Sequence, residues 1–186
     1  RSYRESFFKN KKKCGVSSAR AGNVIGGGDW SKKRLIPDCI RSLIKNEAIL
    51  LRNPNFSRPW QLVLEPLKGY LILAKKQFEN PLKYSGAWNF GTERKSTISV
   101  KQIAKYIVNY WGKGKIKIIR NNKFYEQQNL QIDSNKAKKK LGWFPTYNTE
   151  KSLKVTTDWY QKVLRKRKNS IDVTNEQIEN YMNENN

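Results

Sequence analysis

The segment Arg20-Ala-Gly-Asn-Val-Ile-Gly-Gly-Gly-Asp-Trp30 is the most informative part of the chain. It follows residues 15–19, which are typical of a buried strand, and it runs into three consecutive glycines, where backbone can approach a ligand closely. Arg34 and Arg58 follow at short range, and the planar guanidinium group suits phosphate binding. The pattern therefore predicts a site for a phosphorylated ligand at the carboxyl end of a strand.

The composition limits the classes of protein to which the chain can belong. A chain of 186 residues that is 37% hydrophobic suits one domain with a modest core. The formal net charge of +23 is compatible with nucleic-acid binding, because clustered Lys and Arg release counterions from phosphates. The basic residues are spread over every segment, however, with dense runs only at residues 11–13, 138–140 and 165–168. We therefore predict a solvated lysine-rich surface, and nucleic-acid binding stays the less favoured alternative.

Several other classes are disfavoured. The sequence contains no histidine, which removes the usual zinc ligand and the usual acid–base group near neutral pH. Cys14 and Cys39 are far apart without metal-site spacing, so we predict two reduced, partly buried thiols and no metal. No apolar run reaches membrane-spanning length, and the charged start does not resemble a signal peptide. These features predict a soluble cytoplasmic protein with no membrane contact.

Hydrophobic periodicity predicts an α/β architecture. Helices are predicted to start at or near Pro37, Pro66, Ser99, Ser134, Thr149 and Thr174. The first has an apolar face of Ile36, Ile40, Leu43 and Ile44, and the second has a stripe of Leu64, Leu67, Leu71, Ala74 and Phe78. Gln102 lies in the capping-box position after Ser99. Strands are predicted at residues 15–19, 48–51, 87–90 and 115–119.

These motifs resemble the extended short-chain dehydrogenases that act on nucleotide sugars, and within that family the CDP-glucose 4,6-dehydratases. The likeness runs from Arg20 through Ile36-Pro37 and Arg58-Pro-Trp-Gln, and it continues at residues 88–91, 110–112, 134–137 and 141–145. It covers nearly the whole chain. The resemblance implies the carboxyl-terminal part of a Rossmann-like α/β enzyme, including its small α/β substrate-binding domain.

The resemblance also implies what lies outside this chain. The glycine fingerprint that holds the dinucleotide in this family does not occur here. Tyr3 is followed by Phe7 where the catalytic Tyr-x-x-x-Lys pair would require lysine, so we expect that pair in a preceding half. NAD would be held mainly by that half. Residues 1–30 would then end the cofactor-domain sheet and carry the ligand loop, residues 31–170 would form mainly the nucleotide-sugar-binding region, and residues 171–186 would form a last helix and a frayed tail.

Individual residues receive roles by the same resemblance. The nucleotide sugar would contact Asn23, Arg34, Leu35, Arg52, Arg58 and Asn89, with Arg58 pairing with the diphosphate, and Arg20 would face the cofactor. The structural alternatives are turn capping for Arg20 and Asn23, helix entry for Arg34 and a strand role for Asn89. Trp60 is expected to pack rather than to stack on a base. The glycines at 26–28 have two alternative roles that the sequence does not distinguish: formation of a tight loop, or close approach of a ligand to the backbone.

The activity implied for the whole enzyme is conversion of CDP-glucose to CDP-4-dehydro-6-deoxyglucose and water through an internal NAD redox cycle. It would serve deoxysugar biosynthesis, as for lipopolysaccharide O-antigen, in a homodimer or tetramer. This chain alone would bind the sugar nucleotide weakly or not at all and turn over nothing. An epimerase or reductase on the same scaffold remains an alternative. Leu62, Gln128 and Asn129 depart from the family's His, His and Tyr, which leaves nucleotide selectivity open.

Overall fold

The computed structural model describes residues 2–8, 13–92, 98–119 and 132–184. Its strands are β1 (Ser17–Ala21), β2 (Asn23–Ile25), β3 (Ile49–Leu51), β4 (Ser57–Arg58), β5 (Trp60–Leu62), β6 (Gly86–Phe90), β7 (Ile98–Ser99) and β8 (Ile116–Ile118). Its helices are α1 (Ser2–Phe8), α2 (Leu35–Ile44), α3 (Leu64–Glu79), α4 (Pro81–Tyr84), α5 (Val100–Trp111), α6 (Asn135–Leu141), α7 (Thr149–Tyr160) with a π-helical continuation (Gln161–Arg165), and α8 (Ser170–Asn183). The predicted α/β class is confirmed. In these ranges no helix has both the length and the apolar character needed to cross a membrane.

Most helix starts follow the local signals in the sequence. Ser99 and Gln102 form the predicted capping box of α5, and α6 ends at Gly142 in the left-handed conformation, with φ 68°. The last helix begins earlier than predicted, because the Asn169 side chain accepts from the Ile171 amide and caps α8. Gln128 and Asn129 lie outside the described residues. The division of the chain at residues 30 and 170 stays a prediction.

The strands form four pairs. β1–β6, β2–β5 and β3–β8 are parallel, and β4–β7 is antiparallel. The β1–β6 and β2–β5 pairs meet at the carbonyl of Phe90. That oxygen accepts from the Gly22 amide at 3.3 Å and from Nε2 of the buried Gln61 at 2.9 Å. One backbone acceptor therefore joins the two sheets.

Two main clusters of buried side chains form the core. The larger one packs α2, α5 and α7 together, with Ile40, Ile107 and Leu153 fully buried among them. The second lies on one face of β6, where Trp88 and Phe90 contact α3 and α6. A cleft opens beside the larger cluster.

The apolar stripe predicted for the second helix is wrong. The buried residues of α3 are Glu65, Pro66, Gly69 and Leu73, whereas Leu71 is 72% exposed and Phe78 is 90% exposed. The cause is Gly69, where a Cβ would come within 2.3 Å of the Phe90 ring. This glycine lets α3 approach β6 closely, and the larger apolar side chains consequently face outward. Ile44 of α2 is likewise exposed, contrary to prediction.

Glu65 is a fully buried carboxylate that joins three parts of the chain. Its Oε1 accepts from the Tyr147 amide at 2.7 Å, and its Oε2 accepts from the Thr146 amide and the Tyr181 hydroxyl, both at 2.9 Å. Its backbone carbonyl accepts from Trp143 Nε1 at 3.1 Å. A buried charge is tolerated only when hydrogen bonds replace its hydration, and three donors do so here. The side chain thereby ties α3 to the loop before α7 and to α8.

Both cysteines are free thiols. Cys39 lies fully buried in α2, and Cys14 is half-buried. Burial, reinforced by the neighbouring Asp38 carboxylate, raises the pKa of the Cys39 thiol to about 12. Cys39 is therefore neutral at physiological pH and serves as an apolar core residue.

We expect Glu65→Gln to lower the free energy of unfolding by about 2–3 kcal/mol, because the new amide group would face one of three donors in a site closed to water. Urea unfolding followed by circular dichroism measures the change. Glu79→Gln, exposed at the other end of α3, is the matched control and should fall within about 0.5 kcal/mol of wild type. Equal midpoints for the two variants would contradict this role of Glu65.

Candidate functional site

A cleft of about 650 Å³ opens beside the carboxyl end of β2 and the amino end of α2. Four of the residues predicted to contact a ligand line it together: Asn23, Arg34, Leu35 and Arg58. They come from β2, the start of α2 and β4, so separate elements converge on one space. Their roles toward a ligand stay predictions.

Strand pairing positions two of these side chains. Asn23 of β2 lies opposite Trp60 of β5 in the parallel register, and Trp60 also lines the cleft while packing against the larger core cluster. Arg58 pairs with Ile98 across β4 and β7. Its Nη1 donates to the Ser57 carbonyl at 2.9 Å, and its guanidinium lies 5.8 Å from the centre of the Phe56 ring. These contacts orient the Arg58 guanidinium beside the cleft.

The amino end of α2 adds backbone donors to the cleft. Arg34 occupies the N-cap position without a side-chain capping bond, and Leu35 begins the helix. Pro37 has no amide hydrogen, and the Asp38 amide donates to the Arg34 carbonyl at 3.0 Å. Leu35 and Ile36 occupy the first two positions of the helix, whose amides have no acceptor within the helix, and the helix dipole favours negative charge at this end.

Asp29 places one carboxylate in the cleft wall. Burial opposes its ionisation, but hydrogen bonds from the Ser31 side chain and amide, together with the charges of Arg34 and Arg41, outweigh burial and lower its pKa. Arg41 also donates to the Trp30 and Ser31 carbonyls at 3.0 Å each. The Asp29 carboxylate is thus ionised, and the charges of Arg34 and Arg41 partly offset its own. Arg41 also ties the turn that carries Asp29 to α2.

Three predicted site residues lie outside the cleft lining. Arg52 borders a neighbouring hollow of about 570 Å³, and its neighbour Asn53 lines the cleft instead. Arg20 Nε donates to Asn89 Oδ1 at 3.2 Å, and Asn89 Nδ2 donates to the Asp133 carbonyl at 3.2 Å. The roles proposed for these residues toward substrate or cofactor stay predictions.

Gly27, at the centre of the glycine loop, packs against α7. A Cβ at Gly27 would lie 2.1 Å from the Trp159 ring, and the Tyr160 hydroxyl donates to the Asp29 carbonyl at 2.6 Å. Gly26 lines the cleft, whereas the space beside Gly27 is filled by α7. The loop therefore forms part of the cleft wall and packs on α7. Glycine is needed at position 27 because the Trp159 ring leaves no room for a Cβ.

The Tyr-x-x-x-Lys spacing does occur in the chain, at Tyr147 and Lys151, which the sequence interpretation overlooked. The Tyr147 hydroxyl donates to Glu184 Oε1 at 3.1 Å, and Lys151 bonds the same carboxylate while its Nζ lies 4.1 Å from the Tyr147 ring centre. Burial, followed by Glu184 and Glu65, raises the pKa of Tyr147 to about 12. The pair lines a separate surface groove and holds α7 to α8.

Leu62, one of the departures noted in the sequence, is buried away from the cleft. It packs with Tyr147 and Tyr181, and its amide donates to Ser152 Oγ at 3.2 Å. Leucine at this position therefore bears on packing between β5, α7 and α8, and not on the lining of the cleft.

Comparison with solved structures defines the class of fold. The chain matches UDP-glucuronic acid 4-epimerase from Bacillus cereus, solved with UDP-4-deoxy-4-fluoro-glucuronic acid and NAD, with a TM-score of 0.69 at 15% identity over 87% of this chain and 48% of that one. It matches dTDP-glucose 4,6-dehydratase from Bacillus anthracis, solved with NAD, with a TM-score of 0.65 at 20% identity over 79% and 45%. The fold is that of about half of a nucleotide-sugar epimerase or dehydratase.

Sequence comparison is more specific. The chain is 39% identical over 168 residues to CDP-glucose 4,6-dehydratase from Salmonella typhimurium, which covers 88% of this chain and 47% of that relative. The resemblance found in the motifs is thus confirmed: the chain is a partial homologue of CDP-glucose 4,6-dehydratase. It spans about half the length of the curated relative that it matches. No protein-family model matches it.

We expect Gly27→Ala to lower the free energy of unfolding by about 2 kcal/mol, because the added methyl group overlaps the Trp159 ring. In a Trp159→Leu background the same substitution should cost less than about 0.5 kcal/mol, since the smaller side chain leaves room. Urea unfolding of the four proteins measures this coupling. Gly22→Ala, whose Cβ would meet its nearest atom at an ordinary 3.5 Å, is the control. Additive effects of the two changes would contradict the contact.

Proposed function

We propose that the cleft binds the nucleotide-diphosphate part of CDP-glucose, and that this chain is the substrate-binding part of a nucleotide-sugar 4,6-dehydratase. The observation that carries the proposal is the convergence of Asn23, Arg34, Leu35 and Arg58 on one cleft. The 39% identity to CDP-glucose 4,6-dehydratase supports CDP as the nucleotide. The related structures solved with other nucleotide sugars share too little sequence with this chain to support a different base.

The charges of the cleft suit a diphosphate. Arg34, Arg58 and Lys33 line it, and the amides at the start of α2 face the same space. Charge-assisted hydrogen bonds from guanidinium to phosphate oxygens are roughly twice as strong as neutral ones, and Arg forms them in pairs. Asn23 supplies a neutral donor, and Leu35 supplies apolar surface for the ribose or base.

The glycine loop does not fit a dinucleotide. A cofactor pyrophosphate needs glycines that open space above helix amides, but Trp159 fills the space beside Gly27. The described residues form no second glycine turn of that kind after a strand. Arg20, at the carboxyl end of β1, stays our one candidate for contact with NAD, and the chemistry assigned to this chain is binding and orientation of the sugar nucleotide.

Orientation is a substantial contribution to such a reaction. Two arginines that grip the diphosphate restrict where the attached hexose can lie, and positioning of reacting groups can supply up to roughly 7–11 kcal/mol of barrier reduction. Arg58 is held by β4–β7 pairing and by the Phe56 ring, while Arg34 is held at the helix start. We propose that these supports make the cleft a fixed frame for the sugar.

Two alternatives receive less support. An epimerase on the same scaffold shares the fold, with UDP-galactose 4-epimerase matching at 22% identity and a TM-score of 0.64, but the 39% match is to a dehydratase. For nucleic-acid binding, the lysine run of α6 is partly engaged in packing. Lys136 lies 4.0 Å from the Trp88 ring centre and donates to the Ala87 carbonyl, and Lys138 lies over Phe144.

We expect the purified chain to bind CDP weakly, and Arg58→Gln to weaken that binding roughly 10- to 100-fold through loss of a charged hydrogen-bond donor. Isothermal titration calorimetry at low ionic strength measures both dissociation constants. Arg4→Gln makes the same charge change on α1, outside the cleft lining, and should leave CDP binding within about twofold of wild type. Equal losses in the two variants would point to a general charge effect and contradict the site.

We also expect the purified chain, given CDP-glucose and NAD+, to form no 4-keto-6-deoxy product, because the catalytic residues implied by homology lie outside it. Mass spectrometry of the nucleotide-sugar pool measures the product, with the Salmonella relative as the positive control. Appearance of the product above the no-protein background would contradict the assignment of this chain to binding alone.

A further inference from the structure

Asp29 places a negative charge in a cleft whose other charged lining residues are cations. Its carboxylate lines the cleft together with Lys33, Arg34 and Arg58. Arg34 and Arg41 lower its pKa, yet none of the ion pairs among the described residues includes Asp29. A carboxylate beside a bound diphosphate would repel it. The place of Asp29 in the cleft therefore indicates a ligand group other than phosphate.

The backbone around Asp29 is fixed by three hydrogen bonds. The hydroxyl of the fully buried Tyr160 donates to the Asp29 carbonyl at 2.6 Å, and Arg41 donates to the next two carbonyls, those of Trp30 and Ser31, at 3.0 Å each. The Ser31 amide donates to Asp29 Oδ1 at 2.9 Å, which sets the direction of the carboxylate. A side chain held in this way is preorganised, so it loses little conformational entropy when it binds a ligand.

The Asp29 carboxylate has acceptor capacity left for a ligand. An ionised carboxylate offers about four acceptor positions. Of the described residues, only Ser31 hydrogen-bonds to it, through its amide and its side chain. A hydroxyl group suits the remaining positions because it is a neutral donor, and two neighbouring hydroxyl groups can donate to both oxygens of one carboxylate. A nucleotide sugar carries such vicinal diols on its ribose and on its hexose.

We propose that Asp29 accepts hydrogen bonds from a vicinal diol of the ligand, on its ribose or on its hexose, and thereby selects hydroxylated ligands over deoxy ones. The inference rests on the proposed function, because it takes the diphosphate to lie against the cations of the cleft. Those cations hold the phosphates, and Asp29 sets the rotation of the attached sugar. A divalent cation shared by Asp29 and the phosphates is the competing explanation. Around Asp29, the described part of the chain offers no group of three His, Cys, Asp or Glu side chains to hold one.

Isothermal titration calorimetry at low ionic strength, with a chelator present, tests Asp29 on four ligands: pyrophosphate, CDP, 2′,3′-dideoxy-CDP and CDP-glucose. Asp29→Asn removes the charge but keeps an oxygen for the Ser31 amide. We expect the variant to bind pyrophosphate about two- to fivefold more tightly, because a repulsion is lost. It should bind the ligand whose diol contacts Asp29 about tenfold more weakly, because a charged acceptor is lost.

The pattern over the ligands identifies the diol. Weaker binding of both CDP and CDP-glucose, without a loss for 2′,3′-dideoxy-CDP, assigns the contact to the ribose. Weaker binding of CDP-glucose alone assigns it to the hexose. Asp29→Ser, which also keeps an acceptor for the Ser31 amide, is a second variant and should give the same pattern.

The matched control is Asp172→Asn, which removes the same charge from the exposed first turn of α8, outside the cleft lining. It should change all four dissociation constants by less than about twofold. Urea midpoints equal to wild type show that the variants are folded.

Three results would overturn the inference and leave the proposed function standing. They are equal changes for all four ligands in both Asp29 variants, a loss that 2′,3′-dideoxy-CDP shares with CDP, and CDP binding by wild type that the chelator abolishes and Mg²⁺ restores. A wild-type chain that binds neither pyrophosphate nor CDP would overturn the proposed function together with the inference.

Discussion

The carboxylate of Glu65 is the interaction on which the arrangement of the helices depends. It accepts hydrogen bonds from the segment directly before α7 and from α8, while its own helix packs on β6. The start of α7 is thereby set relative to β5, the strand that precedes Glu65. At the other end of α7, Trp159 and Tyr160 support the glycine loop of the cleft. The cleft wall is therefore held, through one helix, by a buried charge at a distance from it.

Local sequence chemistry predicted the elements well. The capping box of Ser99 and Gln102 and the glycine that ends α6 each act within a few residues, and each is found where the sequence places it. The apolar face of α2 is found except at Ile44, which is exposed. The grouping of Asn23 with Arg34 and Arg58 came from family motifs. Nothing in hydrophobic periodicity alone would have indicated that these residues share a cleft.

Contacts between distant segments could not be predicted in this way. The face of α3 was assigned from the larger apolar residues, whereas close approach through Gly69 decided which side is buried. Gly27 depends on Trp159, and no local pattern connects them. The position of Arg52 outside the cleft could have been predicted from the strand alternation. Ile49 and Leu51 are buried, so the same alternation places Asn53 on the inward side and Arg52 on the opposite side. For Tyr147 and Lys151, the residue spacing matches a catalytic motif, but the carboxylate between them makes the pair a structural bridge.

The carbonyl of Phe90 accepts from Gly22 and from Gln61, and these two bonds restrain how the molecule can move. Moving one strand pair away from the other would leave a buried amide and its acceptor without hydrogen-bond partners. This would cost about 1–3 kcal/mol of free energy for each unsatisfied group. Hinge bending at this junction is thus disfavoured. Because both bonds end on one carbonyl, we expect the strand that carries Arg20 and the strand that carries Asn23 to move together rather than independently.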